Sequence, residues 1–241
     1  MNTLPSNAKL GTFLKAAAIC SFLGALTTTF LFVLPTVDAP NFESQVLLYE
    51  NNLYLTRLWI LFIHPQVNLI ASLGIGFLLF KKYPLQIVIG TVFLSIWAYT
   101  EITQQSLLID ALNQIWRPGY VKADGEIAKT MFETLIKTAN GISDSNYFLV
   151  IYGFGLGSFF FGLALIGENG LGKFLGISFL FIGILSLASF ARYYMGARYM
   201  NQVVDWTYKW IYTYLQPIVR VGIGIWLLSG VKKVYNKAYS E

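Results

Sequence analysis

Long apolar stretches separated by short polar segments dominate this chain. Several of them approach or exceed the roughly 18 to 20 residues that a helix needs to cross about 30 Å of hydrocarbon. The predicted spans cover residues 16–35, 54–80, 84–107, 146–167, 174–196 and 207–230. The pattern therefore predicts an all-α fold, a polytopic transmembrane helical bundle of about six spans that forms a single membrane domain over residues 1–241.

The largest region predicted outside the bilayer lies between the third and fourth spans, over residues 108–145. The sequence EITQQSLLIDALNQIW continues a helical pattern beyond the apolar part of the third span. Pro118, Gly119 and Gly125 are turn residues and are predicted to end this helix. An amphipathic helix over residues 126–143 is then expected to lead into the fourth span.

Composition supports the membrane assignment and indicates an orientation. The chain is 56% hydrophobic and 12% charged, whereas an ordinary soluble domain is about 25% charged. The net charge is +5, but the basic residues are spread along the chain, so the sequence gives no support for nucleic-acid binding. Lysines before the first span, after the second and after the sixth share one side, which the positive-inside rule assigns to the cytoplasm. We therefore expect a multi-pass protein of a plasma membrane (the bacterial inner membrane), with both termini cytoplasmic and residues 108–145 facing outward.

The second span carries three polar residues on one helical face. An ionisable group at membrane depth is costly and normally faces the interior of the bundle, where it has a partner. Arg57, His64 and Asn68 are seven and four residues apart, a spacing that aligns them along one face. Arg57 could instead reach the headgroups from the helix end, and His64 could be a hydrogen-bonded packing residue.

The sixth span repeats this spacing with Lys209, Gln216 and Arg220. A proline follows the middle polar residue in both cases, Pro65 in the second span and Pro217 in the sixth, and each is expected to bend its helix. A parallel internal repeat and a coincidence both explain the match. Arg220 lies about 14 residues into the predicted span, too deep to reach the surface easily.

Other spans add acidic and amide groups to the same half of the bundle. Glu101 and Gln105 share a face of the third span, and Arg192 ends the fifth; Glu101 could be a structural partner for an arginine or a group used in binding or proton transfer. Asp144 and Lys209 are predicted to form structural ion pairs, with Lys209 also suited to anchor the interface beside a tryptophan. The candidate ligand-binding residues are Arg57, His64, Asn68, Glu101, Gln105, Arg192, Gln216 and Arg220.

The chemistry of the sequence excludes several classes of protein. With one histidine and one cysteine, the chain offers neither an imidazole-rich metal site nor a disulfide, and no metal or cofactor is predicted. No serine stands in a Gly-x-Ser-x-Gly context, and no Walker motif is present, which excludes transport driven by an ATPase of its own.

Three segments resemble a family of small bacterial integral membrane proteins that is defined only as a domain of unknown function. They are NLYLTRLWIL, with Arg57 entering the second span, ISDSNYFLVIYGFGLGSFFFGLAL, with Asp144 before a glycine-rich span, and LGKFLGISFLFIGILSLASF. The similarity covers nearly the whole chain. It implies a helical bundle of six or seven spans and no particular activity.

Three functional hypotheses follow from the residues. The first is binding, with or without transport, of a small anionic or amphipathic molecule in an outward-facing polar pocket, because guanidinium groups suit carboxylate and phosphate groups. The second is an intramembrane enzyme that acts on a lipid or isoprenoid with Glu101 or His64 as acid or base. The third is a non-catalytic subunit whose polar stripes pair with another membrane protein or with a second copy. The sequence does not decide whether the protein is an enzyme.

Overall fold

The structure, a computed structural model, describes the backbone of residues 6–238 and the side chains of residues 9–232. It is all-α, and six of its helices are long and apolar enough to cross a membrane, which confirms the predicted fold class. The six spans, numbered in chain order, are Ser6–Val33; Asn52–Leu79; Pro84–Leu107 with its continuation to Lys122; Glu126–Leu165; Leu171–Tyr194; and the helical run from Arg198 to Ala238. Lys233 and Lys237, which contributed to the predicted orientation, have side chains outside the described residues.

The connections define two ends of the bundle. At one end, which we call the loop end, residues 80–83 and 166–170 join neighbouring spans. At the other, the extension end, lie the short linker helices Phe42–Val46 and Leu47–Glu50 and the extended parts of the third and fourth spans. We predict, from the lysine distribution alone, that the extension end faces outward.

The predicted end of the third helix at Pro118 is wrong, because the helix continues to Lys122. A π-helical segment, Leu108–Trp116, directly precedes the α-helical turn that contains Pro118. Proline in a continuous α-helix clashes with the carbonyl four residues before it, but here it is the second residue of a new α-helical segment, where a missing N–H is tolerated. The chain turns at Gly125, whose φ of 90° suits glycine.

Gly119 serves packing rather than a turn. A Cβ atom at this position would lie 2.6 Å from the ring of Phe132, so glycine lets the third and fourth spans approach closely at the extension end. The amphipathic segment predicted over residues 126–143 is continuous with the fourth span in one helix, Glu126–Leu165.

The six spans form a ring in which the last span packs against the first. The first span packs between the second and the sixth, the third packs between the second and the fourth, and the fourth packs closely on the fifth. The contact between the fifth and sixth spans is much smaller. Glycines of the fourth span allow its close contacts, since a Cβ at Gly157 would lie 2.6 Å from Leu94 and one at Gly162 would lie 2.7 Å from the Leu180 nitrogen.

The bundle has two apolar clusters of buried residues. The larger one includes Leu14, Ile75, Phe161 and Ile223. The smaller one lies in the extension and consists of Leu112 and three other buried residues. Trp97 of the larger cluster also lines the cavity of the candidate site, which therefore borders this cluster.

Candidate functional site

A cavity of about 360 Å³ lies between the spans, and all six contribute to its wall. Ligand sites of small molecules typically measure about 300 to 1,000 Å³ and combine an apolar lining with a few polar groups. The polar and tyrosine residues of the wall are Thr28, His64, Glu101, Tyr147, Ser186, Tyr208, Tyr212, Gln216 and Arg220. Its apolar residues are Leu31, Phe32, Leu61, Trp97, Val150, Ile151 and Phe154.

The sixth span supplies a column of four lining residues, Tyr208, Tyr212, Gln216 and Arg220. In a straight α-helix each step of four residues advances by about 40°, so three steps would turn the last side chain roughly 120° away from the first. The segment Tyr208–Tyr212 is π-helical, and Pro217 lies inside the helix that follows. Both features change the helical register or axis, and all four side chains reach the cavity.

Arg220 is the most deeply enclosed charged group of the cavity wall. Only 5% of the residue is exposed. Its Nε is buried without a hydrogen-bond partner, and within the described part of the chain the guanidinium forms no ion pair. The backbone carbonyl of Arg220 accepts a hydrogen bond of 2.6 Å from Ser21 Oγ on the first span, which fixes this turn of the helix. A buried cation without a partner is costly, so the donors of Arg220 are available to a ligand.

Glu101 occupies the same cavity from the third span. The Glu101 carboxyl group and the Arg220 guanidinium border the same space, yet they are not within the 4.0 Å of an ion pair. Trp97, one turn earlier on the same helix, lines the cavity beside Glu101. A cation and an acid thus face one space without neutralising each other by direct contact.

His64 also lines the cavity but has partners for both ring nitrogens. The Thr27 hydroxyl donates to the Gly24 carbonyl, so it accepts from His64 Nδ1 at 2.9 Å. The Asn68 amide nitrogen donates to the His64 backbone carbonyl at 2.8 Å and lies 3.0 Å from Nε2 and 3.2 Å from Nδ1, so that its second hydrogen is assigned to Nε2. This assignment, made from the hydrogen-bond network, describes a neutral imidazole held between the first and second spans. Asn68 is fully buried behind His64 and does not line the cavity.

Three other candidate residues lie away from the cavity. Arg57 Nη1 donates to the carbonyl of Leu34 at 2.6 Å, near the end of the first helix, where a cation is favourable. Gln105 is buried one turn beyond Glu101, with its Oε1 unpartnered. Arg192 forms an ion pair with Asp205 at the extension end, where it joins the fifth and sixth spans.

The two residues predicted to form ion pairs have other surroundings. The Lys209 Nζ lies 5.2 Å from the ring centroid of Trp210, an arrangement that suits an interfacial anchor. Asp144 borders a second, more open cleft of about 400 Å³ at the extension end. Among residues with described side chains, the ion pairs involve neither of them.

Sequence reasoning missed Arg117, which it placed in a turn. Arg117 is only 2% exposed. Its Nη1 donates to Asn113 Oδ1 at 2.5 Å and to the Tyr54 hydroxyl at 3.1 Å, and its guanidinium lies 5.2 Å from the centroid of the Tyr54 ring. The asparagine four residues before the arginine was the available signal. Tyr208 and Tyr212 were also missed, because the π-helical turn that directs them inward leaves no distinct hydrophobic period.

The fold and the cavity together define a polytopic helical membrane protein with a cavity between its six spans, lined by apolar residues and a few polar groups. Comparison of the chain with family models, with curated proteins and with solved structures finds no match. The family resemblance drawn from the sequence therefore stays a prediction.

Proposed function

We propose that this protein binds a small amphipathic molecule with an anionic group, and that the anion binds to Arg220 in the cavity between the six spans. The observation that carries the proposal is a guanidinium that is almost fully enclosed, borders a ligand-sized cavity and has no ion-pair partner among the described residues. Guanidinium donors match the geometry of carboxylate and phosphate groups.

The rest of the wall fits the apolar part of such a ligand. Trp97, Phe154 and Phe32 come from three different spans and line the cavity together with aliphatic side chains. Burial of apolar surface contributes about 25 cal/mol per Å², while Arg220 selects the charged end. Transport would need a second conformation open at the loop end, so the proposal is restricted to binding.

The enzyme hypothesis has a narrower basis. His64 is held by Thr27 and Asn68, so Glu101 is the carboxylate left to act as an acid or base among the residues that line the cavity. Binding, by contrast, requires no group that acts as an acid or base.

The test is a thermal-shift screen of the purified protein in detergent. The probes are octanoate, hydrocinnamate and octyl phosphate. We expect at least one of them to stabilise the native protein, and Arg220→Gln to weaken that probe's binding about ten- to hundredfold, the value of a hydrogen bond to a charged group. Lys209→Gln removes a positive charge from an exposed position of the same span and should leave binding unchanged.

Two results would overturn the proposal. One is the absence of a shift with all three probes on the native protein. The other is an equal shift in the native protein and in Arg220→Gln, provided that the variant elutes as the native protein does in size-exclusion chromatography.

A further inference from the structure

The cavity wall carries one cation and one acid on different helices. Arg220 comes from the sixth span and Glu101 from the third, and among the described residues that line the cavity they are the charged side chains. The two groups are too far apart for an ion pair. The space between them is therefore bordered by opposite charges.

Charge balance limits what can fill this space. A bound monoanion would pair with Arg220 but would place a second negative charge near Glu101, in surroundings of low dielectric where an unbalanced charge is expensive. A molecule with both an anionic and a cationic group would give each wall residue a partner and add no net charge. Electrostatic complementarity therefore favours a zwitterion over a simple anion.

The aromatic surroundings of Glu101 fit the cationic group of such a molecule. Trp97 lies one turn from Glu101 and lines the cavity, and Phe154 packs against it with ring centroids 5.1 Å apart. Aromatic faces attract ammonium groups, most strongly where water is excluded. The Glu101 side of the cavity thus combines a carboxylate with aromatic rings.

We infer that the ligand is a zwitterionic amino acid with an apolar side chain. Its carboxylate binds to Arg220, its ammonium group binds to Glu101, and its side chain packs against the apolar wall. This inference rests on the proposed function and names the ligand class of the same site.

A matched set of three probes tests the inference on the native protein. Phenylalanine carries both charges, hydrocinnamate lacks the ammonium group, and phenethylamine lacks the carboxylate. We expect phenylalanine to bind at least about tenfold more tightly than either of the other two, because each of them leaves one wall charge without a partner. Binding is measured by calorimetry in detergent, and no variant has to fold for this comparison.

Glu101→Gln then changes the affinity for phenylalanine in opposite directions, depending on whether the site is built for a zwitterion or for a simple anion. If the site is built for a zwitterion, the substitution weakens the binding of phenylalanine about tenfold or more and strengthens the binding of hydrocinnamate. Arg220→Gln should weaken both carboxylates, and Lys209→Gln should affect neither. Phenylalanine binding that is unchanged or tighter in Glu101→Gln overturns the inference.

The failures of the two proposals are distinguishable. Binding of hydrocinnamate that depends on Arg220, together with weaker or absent binding of phenylalanine, overturns the zwitterion and keeps the anion site. Binding of phenylalanine that is indifferent to Arg220→Gln overturns the zwitterion inference, and the response of hydrocinnamate to the same variant still decides the proposed function. If none of the three aromatic probes binds the native protein, the zwitterion inference fails, and octanoate and octyl phosphate still decide the proposed function.

Discussion

Arg117 at the extension end and Arg220 in the cavity are both almost fully enclosed, at 2% and 5% exposure, but their surroundings differ. Each leaves its Nε without a partner. Arg117 donates through Nη1 to Tyr54 and Asn113 and lies against an aromatic ring, whereas Arg220 faces open space and an acid out of contact range. Burial alone therefore does not mark a binding residue in this protein. The number of partners that the protein itself supplies separates the structural arginine from the candidate ligand anchor.

The largest expected effect is on the stability of the extension. Arg117→Ala should lower the free energy of unfolding by about 2 to 4 kcal/mol, because it leaves the Tyr54 hydroxyl and Asn113 Oδ1 without a partner and removes packing. Arg220→Met should change this free energy by less than about 1 kcal/mol, because the removal of a buried guanidinium that has no ion-pair partner is offset by the loss of the positive charge that balances Glu101 across the cavity. Denaturant unfolding in detergent micelles measures both. An equal loss in the two variants would remove the distinction between these arginines.

A smaller effect isolates one hydrogen bond of Arg117. Tyr54→Phe keeps the ring beneath the guanidinium but removes the hydroxyl that accepts from Nη1 at 3.1 Å, and it should cost about 1.5 to 3 kcal/mol as a bond to a charged group. Tyr147→Phe is the matched control in the cavity, where we expect less than about 0.5 kcal/mol, the usual range for substitutions away from such contacts. A loss of unfolding free energy in Tyr147→Phe equal to that in Tyr54→Phe would mean that the polar groups of the cavity are hydrogen-bonded as fully as those of the extension.

The next effect concerns the support of Arg220. Ser21→Ala removes the hydrogen bond to the Arg220 carbonyl and should lower the free energy of unfolding by about 1 kcal/mol. Ligand binding should weaken less than in Arg220→Gln, since the guanidinium remains. Ser229→Ala is the control, because the Ser229 hydroxyl bonds only within its own helix, to the Trp226 carbonyl, and its loss should be within about 0.5 kcal/mol. A stronger effect on binding than on stability would show that the position of this turn governs the site.

The smallest effect is expected at the loop end. Lys82 donates to Glu168 at 2.9 Å, and this hydrogen bond raises the pKa of the Lys82 ammonium. Because the pKa in the folded state is raised, the pair contributes at neutral pH and the contribution is lost only as the pH rises through that raised pKa. Lys82→Gln should lower the melting temperature only slightly, and this difference from the native protein should disappear at high salt, where the ion pair is screened. Ligand binding should be unchanged.

The apolar runs were sufficient to predict the spans, because hydrocarbon thickness sets their length. The end of the third helix was not predictable in the same way. Pro118 is a reliable breaker in an α-helix, but it follows a π-helical segment whose Leu112 is buried in the smaller cluster with residues distant in the chain, such as Val46 and Ile136. No local sequence feature marks this segment.

The candidate site was predictable in part. One cavity brings together His64, Glu101, Gln216 and Arg220, because polar side chains at membrane depth are costly to expose to lipid and therefore face the bundle interior. Arg57 had the same spacing as its neighbours on the second span, but the free carbonyls that end the first helix lie closer to it than the cavity does. Spacing predicts the face of a helix, whereas the neighbouring helix end decides the partner.

The packing of the sixth span on the first has a consequence for biosynthesis. Ser21 and Arg220 are 199 residues apart in the chain, so the first helix lies in the bilayer without its main neighbour until the sixth span has been synthesised. Until then Ser21 lacks the carbonyl to which it donates, and the wall that carries Arg220 does not exist. The cavity is thus completed only when the sixth span inserts, and a chain truncated before this span would present an incomplete ring to the quality-control machinery of the membrane.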